Sequence, residues 1–264
     1  MKAKTTRQPV LFLGHGSPMN AIEDNVFTRT LSALGARLPR PEAVLCVSAH
    51  WQTRGSLVTG MAAPRTIHDF GGFPEALYKV RYPAPGSPAL AALVRETVGP
   101  ATVSIDESEW GLDHGSWSVL RHLYPKADVP VVQLSVDAGA PARRHFELGE
   151  KLRPLREKGI LILGSGNIVH NLRRIAFEED AAPESWAVEF DAWVKGRLEK
   201  RDFDALLGDL AAAPSGALAV PTPDHYDPLL YILGASDAGD KLRFEYEGIQ
   251  NGSISMRSVS FGAA

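Results

Sequence analysis

The chain has 264 residues, a formal net charge of −3 and 44% hydrophobic residues. That size and balance fit one α/β enzyme domain with a large core. They exclude the basic footprint of a nucleic-acid-binding protein, the cationic cluster of a membrane-surface protein and the long apolar run of a membrane span. The charged start Met1–Arg7 has no apolar segment after it, so it does not read as a signal peptide, and residues 1–8 are expected to be flexible. The single cysteine, Cys46, lies in an apolar run. A small buried thiol and a reducing, cytoplasmic home are expected.

In chain order, apolar runs without strong alternation occur at residues 9–13, 43–48, 129–136 and 160–163, the pattern of strands buried on both faces. Helical periodicity lies between and beyond them. Residues 26–38 carry Phe27, Leu31, Leu34 and Leu38 on one face, and residues 88–98 open with a Ser87 cap and Pro88. Ser116 is the expected cap of a helix over 117–124. Residues 141–157 are helical with a stop or kink at Pro154, and residues 184–200 form a long amphipathic helix. Shorter helices are expected at 203–212 and 228–234. The alternating stretches 242–247 and 253–261, with Gly252 near their turn, predict an antiparallel hairpin. The predicted architecture is a single α/β domain over residues 1–264. Its central sheet is mixed but mostly parallel, flanked by helices, with the hairpin at its C-terminal end.

Four of the eight histidines stand at the mouths of apolar segments: His15 in Gly14-His15-Gly16, His50 in Ser48-Ala49-His50-Trp51, His170 after Gly164-Ser165-Gly166-Asn167, and His225 in Asp224-His225-Tyr226-Asp227. Ligands of α/β sheets sit beyond the carboxyl ends of the strands, so these scattered imidazoles are expected to share one cleft. Imidazole is a common ligand of catalytic transition metals. His114 lies in a fifth such segment, the polar stretch Glu109–Trp117, near a predicted helix start. His145 reads as solvated and His122 as a helix-end residue. His68, in the aromatic loop Ile67–Pro74, reads as a surface-loop residue or a cover for a ring-shaped substrate. Gly164-Ser165-Gly166 lacks the third glycine of a dinucleotide fingerprint at Val169, and no nucleophile elbow or Cys-x-x-Cys is present.

The segments Gly14–Asn20, Ser48–Trp51, His68–Pro74, Tyr82–Gly86, Gly111–Trp117, Gly164–Asn171, Asp224–Tyr231 and Gly252–Phe261 resemble, in order, the DOPA-4,5-dioxygenase family of LigB-type (class III) extradiol ring-cleavage dioxygenases. The resemblance implies a mononuclear metal site with His15, His50 and His225 as ligands. His170 would be an acid/base beside the metal or a fourth ligand, and His114 would contact substrate or dioxygen. The wider superfamily uses two histidines and a glutamate around non-haem Fe(II); the imidazole of His225 at the third position follows the DOPA-type branch. The implied reaction opens the ring of a catechol, DOPA-like or another small aromatic diol, with O2. Fe(II) is expected for turnover, and Zn(II) is an ion that three imidazoles would also hold. Two other readings of the same cluster are a zinc-dependent hydrolase and a closed, non-catalytic metal site formed by His15, His50, His170 and His225. Neither nucleic acid nor membrane is an expected partner, and nothing in the sequence indicates an oligomeric state.

Overall fold

Val10 and Phe12 project into one apolar layer, Leu11 and Leu13 into the other, and all four are fully buried. The same division holds for Leu45 and Val47 against Val44 and Cys46, and for Ile162 against Leu161 and Leu163. Runs apolar at every position therefore became strands covered on both sides, as parallel strands between helical layers must be. A computed structural model of the protein describes residues 6–262. Its elements are β1 (Val10–Gly14), α1 (Val26–Arg37), β2 (Ala43–Thr53), β3 (Ser56–Thr59), α2 (Glu75–Tyr78), α3 (Pro88–Val98), β4 (Val103–Asp106), α4 (His114–Leu123), β5 (Val131–Asp137), α5 (Ala142–Leu152), β6 (Ile160–Gly166), α6 (Ser185–Glu199), α7 (Phe203–Leu206), α8 (Gly216–Ala219), α9 (Asp227–Ala235), β7 (Lys241–Tyr246), β8 (Ile249–Gln250), β9 (Ile254–Ser255) and β10 (Ser258–Gly262).

The main sheet has the order β4-β3-β5-β2-β6-β1-β10-β7. Its centre is parallel, with β2 paired to β5 and β6, and β6 to β1. The predicted C-terminal hairpin is present: β7 pairs antiparallel with β10, which in turn adds antiparallel to β1. A small β8–β9 ribbon sits inside that hairpin and turns at Asn251-Gly252, both with positive φ. Helices α1 and α4 cover one face of the sheet, through Phe27, Leu31, Trp117 and Leu120. Helices α3, α5, α6 and α9 cover the other, through Val94, Leu152, Phe190 and Leu230. Among the described residues no helix is long and apolar enough to cross a membrane.

Several local expectations are corrected. Strands β3 and β4 were not anticipated, because each is only 4 residues long and half polar. Helix α4 starts at His114, with Asp113 as its cap accepting from the Ser116 N–H at 3.1 Å; Ser116 is inside the helix. The segment 203–212 splits at Gly208 into α7 and a 3-10 turn (Leu210–Ala212). Helix α5 ends at Leu152, and Pro154 lies in the first turn of a 3-10 segment, as its missing N–H allows. Of the start expected to be flexible, residues 1–5 lie outside the described residues. Arg7 is paired with Glu157 (2.5 Å) and Asp240 (2.8 Å), and the buried Gln8 donates its N–H to the Arg156 carbonyl at 3.1 Å.

Candidate active site

Five histidines from separate parts of the chain line one cavity of about 250 Å³ at the carboxyl end of the parallel strands: His15, His50, His114, His170 and His225. Each arrives by a local device. His15 follows β1, and Gly16 turns the chain away with φ +61. His50 does not follow its strand, as expected, but stands within β2, where the register with β5 slips between Val47 and Gln52. Such an irregularity re-aims a side chain without ending the strand. His114 is the first residue of α4. His170 follows β6; its N–H donates to the Ala219 carbonyl at 2.9 Å, and it bridges to Ile254. His225 precedes α9. Backbone bonds tie these loops together: His15 N–H to Gly166 O at 3.0 Å, and Asn167 N–H to His225 O at 2.8 Å.

The outward nitrogens are occupied. Ser165 Oγ gives its proton to the Gly115 carbonyl, so it accepts from Nδ1–H of His15 at 3.0 Å. Asp224 accepts from Nδ1 of His225. Asp69 Oδ2 lies 3.3 Å from Nδ1 of His50 and 2.9 Å from Nδ1 of His114, while its Oδ1 accepts the His114 backbone N–H at 2.9 Å. Partners of this kind fix the tautomer and orientation of metal-binding histidines. Nε2 of His15 and Nε2 of His50 face each other at 3.1 Å, and ligand atoms of His15, His50 and His114 all lie within 4.8 Å of one another. A cluster of imidazole nitrogens of this kind fits a transition-metal cation.

Electrostatics agree. Burial, then repulsion from the neighbouring imidazoles, pushes His15 and His50 well below the ordinary histidine range and His170 down to about 3. These rings are neutral and free to ligate. Burial raises Asp224, but its bond to His225 outweighs that and holds the carboxyl well below its usual range. Asp113, fully buried, is pushed up to about 6 by burial and by Asp69. It is held by Ser48 Oγ–H at 2.7 Å, Trp110 Nε1–H at 3.3 Å and the Gln133 amide. This buried knot fastens the end of β2 to the start of α4 and so sets His50 against His114.

The five rings are not equivalently placed. The centroids of His15, His50 and His225 form a near-equilateral triangle with sides of 5.0, 5.3 and 4.9 Å. Three imidazoles sharing one ion through bonds of about 2.1 Å at roughly tetrahedral angles have centroids roughly 5 Å apart. By nearest ligand atoms, His15, His50 and His114 make one group and His170, Asp224 and His225 another, each within 4.8 Å. The ring distances of His114, 3.9 Å to His50 and 5.6 Å to His15, are uneven. Phe70, Phe73, Leu172, Ile175 and Ile254 complete the walls.

The remaining histidines lie elsewhere. His68 accompanies the aromatic loop, but its Nε2 bonds the Val80 carbonyl at 3.0 Å and its ring packs by Phe70 and Trp117. His122 bonds the Asn20 carbonyl at 2.8 Å. His145, expected to be solvated, is buried against Tyr231 (3.0 Å) and Asp227 (3.4 Å). Reasoning from the sequence missed Asp69 and Ser165. The neighbours of Asp69, His68 and Phe70, drew attention to that loop, but no spacing signal connects residue 69 to residues 50 and 114.

Residues 9–261 match the family described as the catalytic LigB subunit of aromatic ring-opening dioxygenase. The chain belongs to the LigB family. Within it, this LigB chain is 52% identical to the 4,5-DOPA dioxygenase extradiol of Escherichia coli (strain K12), over 98% of the chain and 96% of that relative. It is 35% identical to the 4,5-DOPA dioxygenase extradiol of Beta vulgaris over 99% of both. It also superposes on the crystal structure of an uncharacterized Escherichia coli K12 protein with a TM-score of 0.84, at 47% identity, covering 97% of this chain and 100% of the other. The resemblance to the DOPA-type LigB branch is thus borne out. The LigB chain is a metal-dependent, ring-cleaving extradiol dioxygenase, and the hydrolase reading falls away.

Proposed function

We propose that the protein opens the ring of a catechol, DOPA-like or another small aromatic diol, beside its two hydroxyls, placing both atoms of O2 in the product. His15, His50 and His225 would hold a single Fe(II). The observation that carries this reading is the pair of opposed Nε2 atoms of His15 and His50, 3.1 Å apart, inside the imidazole triangle. Three ligands on one side leave coordination positions for outside molecules. The bound ion supplies Lewis acidity and, as iron, a redox couple that Zn(II) lacks. Zn(II) would occupy the same three nitrogens and leave the protein inactive.

The residues around that position have separable tasks. His170, stacked on His225, offers a neutral ring to take the diol proton and return it when the O–O bond breaks. His114 is locked by Asp69 through both its backbone N–H and its Nδ1, which leaves Nε2 as its free nitrogen to meet substrate or dioxygen. Phe70 stands edge-on to His114 at 5.4 Å and, with Phe73 and Ile254, gives the aromatic ring apolar walls that exclude water. The test is oxygen uptake after anaerobic loading with Fe(II) and addition of a panel of catechols. Stoichiometric uptake with a new ring-opened chromophore is expected. Absence of uptake with every catechol, DOPA included, overturns the reading.

A further inference from the structure

We infer that Asn167 is a positioning residue of the metal centre: its side-chain amide, together with its backbone N–H, sets how His15 stands against His225. This rests on the ligand set proposed above. Asn167 closes the segment Gly164-Ser165-Gly166-Asn167, which matches neither a dinucleotide fingerprint nor a nucleophile elbow. Each member of that segment has its own task beside the histidines. A Cβ on Gly164 would meet the Pro228 carbonyl oxygen at 2.6 Å, so the bare residue lets α9 lie close against β6. Ser165 Oγ bonds Nδ1 of His15 at 3.0 Å. Gly166 leaves room for the His225 carbonyl. Asn167 follows, 1% exposed, and its polar groups reach three separate parts of the chain.

The backbone N–H of Asn167 donates to the His225 carbonyl at 2.8 Å. Its Oδ1 accepts the N–H of Gly16, the residue after His15, at 3.3 Å. Its Nδ2 donates to the Ser255 carbonyl at 2.8 Å. Ser255 in turn gives its N–H to the Val169 carbonyl at 3.1 Å, and the neighbouring Ile254 bridges to His170. One buried side chain therefore joins the turn after His15 to the strand beside His170, while the main chain of the same residue holds His225. His50 and His114 are fixed by other bonds, around Asp113 and Asp69. A change at position 167 thus acts on His15 and His225 and leaves that pair in place. A hydrocarbon side chain of similar size would fill the space but leave the Gly16 N–H and the Ser255 carbonyl against carbon. Gly16 holds a left-handed backbone with φ +61, and without the amide this turn loses its clamp. Bonds one step outside the ligands hold a metal site in the geometry that the ion requires.

The test compares Asn167→Leu with the wild type and with Ser255→Ala. The Ser255 hydroxyl donates to Asp191 at 2.6 Å and accepts the Arg257 N–H at 3.2 Å, so its removal loosens the same strand without touching the His15 turn. Competition against a chelator gives the Zn(II) affinity, and the visible bands of the Co(II)-loaded protein report the ligand geometry. Both variants should melt below the wild type when metal-free. Asn167→Leu alone should bind Zn(II) about ten- to a hundred-fold more weakly and show displaced Co(II) bands. Asn167→Ala, which crowds nothing, is measured beside it and should behave in the same way. Wild-type affinity and bands in either folded Asn167 variant, or an equal loss in Ser255→Ala, would confine Asn167 to holding the fold and overturn the assignment, with the ligand set still standing. Wild-type protein that takes up neither ion overturns the ligand set and the role of Asn167 with it.

Discussion

The imidazole planes of His170 and His225 lie 6° from parallel with centroids 3.5 Å apart. A nitrogen lone pair lies in the plane of its ring. Two parallel rings stacked at this separation cannot both aim lone pairs at one ion about 2.1 Å away. At most one of the two can ligate such an ion in its ring plane. In the proposed site His225, which forms the triangle with His15 and His50, is the ligand and His170 is left for proton transfer. His170→Phe should therefore retain about one metal per chain and lose on the order of a hundred- to ten-thousand-fold in kcat, whereas His15→Ala should lose the metal. Elemental analysis beside oxygen uptake separates the two. Equal metal loss in both variants would refute the division.

Asp224 bonds Nδ1 of His225, and in the proposed site it would hold that ring with Nε2 toward the ion. Asp224→Ala should weaken Zn(II) affinity about ten- to a hundred-fold with the fold intact. Competition against a chromophoric chelator measures this. Affinity equal to wild type would show that the carboxylate does not position the ligand.

Asp69 reaches two histidines with one side chain, bonding His114 and lying 3.3 Å from His50. Asp69→Ala frees the orientation of His114 and removes one constraint on His50. The expected result is bound metal, with kcat lowered on the order of ten- to a hundred-fold. Circular dichroism and metal content check that the loss is confined to the site. Unchanged kcat would remove Asp69 from the machinery.

Gly166 ends β6 where the chain before α9 passes directly over it, and a Cβ there would overlap the His225 carbonyl oxygen. Gly166→Ala must push His225 away. A stability loss of about 1–3 kcal/mol is expected, accompanied by weaker metal binding. Thermal denaturation of the chelated protein and metal titration read the two effects separately. Normal metal affinity in the variant would mean that the turn relaxes without moving the ring.

Arg156 is fully buried, and Asp240 pairs with it at 2.7 and 3.0 Å. Burial raises the Asp240 carboxyl, but its bonds to Arg156 and Arg7 outweigh this and hold it at about 2. The folded-state value lies below the unfolded one. Its stabilisation, about 2 kcal/mol, is thus present above roughly pH 4 and is lost as pH falls toward 2. Asp240→Asn should destabilise by about 3–5 kcal/mol near neutral pH, because Arg156 keeps its charge without a carboxylate. Urea unfolding across that acid range should show a shallower pH slope in the variant. An identical slope would show that the pair does not couple to folding.

Much of the architecture was readable from residue order. Strands apolar at every position must be covered on both faces, so their alternation with amphipathic segments dictated a parallel-centred α/β domain, and chain topology alone sent His15, His50 and His170 toward one edge. Local pattern also placed α1, α3, α6 and the C-terminal hairpin close to where they lie. Tertiary packing settled the rest, because those features depend on contacts between residues far apart in sequence. The slip in β2 that aims His50 exists only against the register of β5. Asp69 matters because a loop about 45 residues before His114 folds back onto it. His145 looked like a surface residue on a charged helix until α5 packed against α9 and took it inside. Periodicity encodes which face of an element turns inward; which side chains then meet, at which distance and angle, is decided only when the faces close on one another.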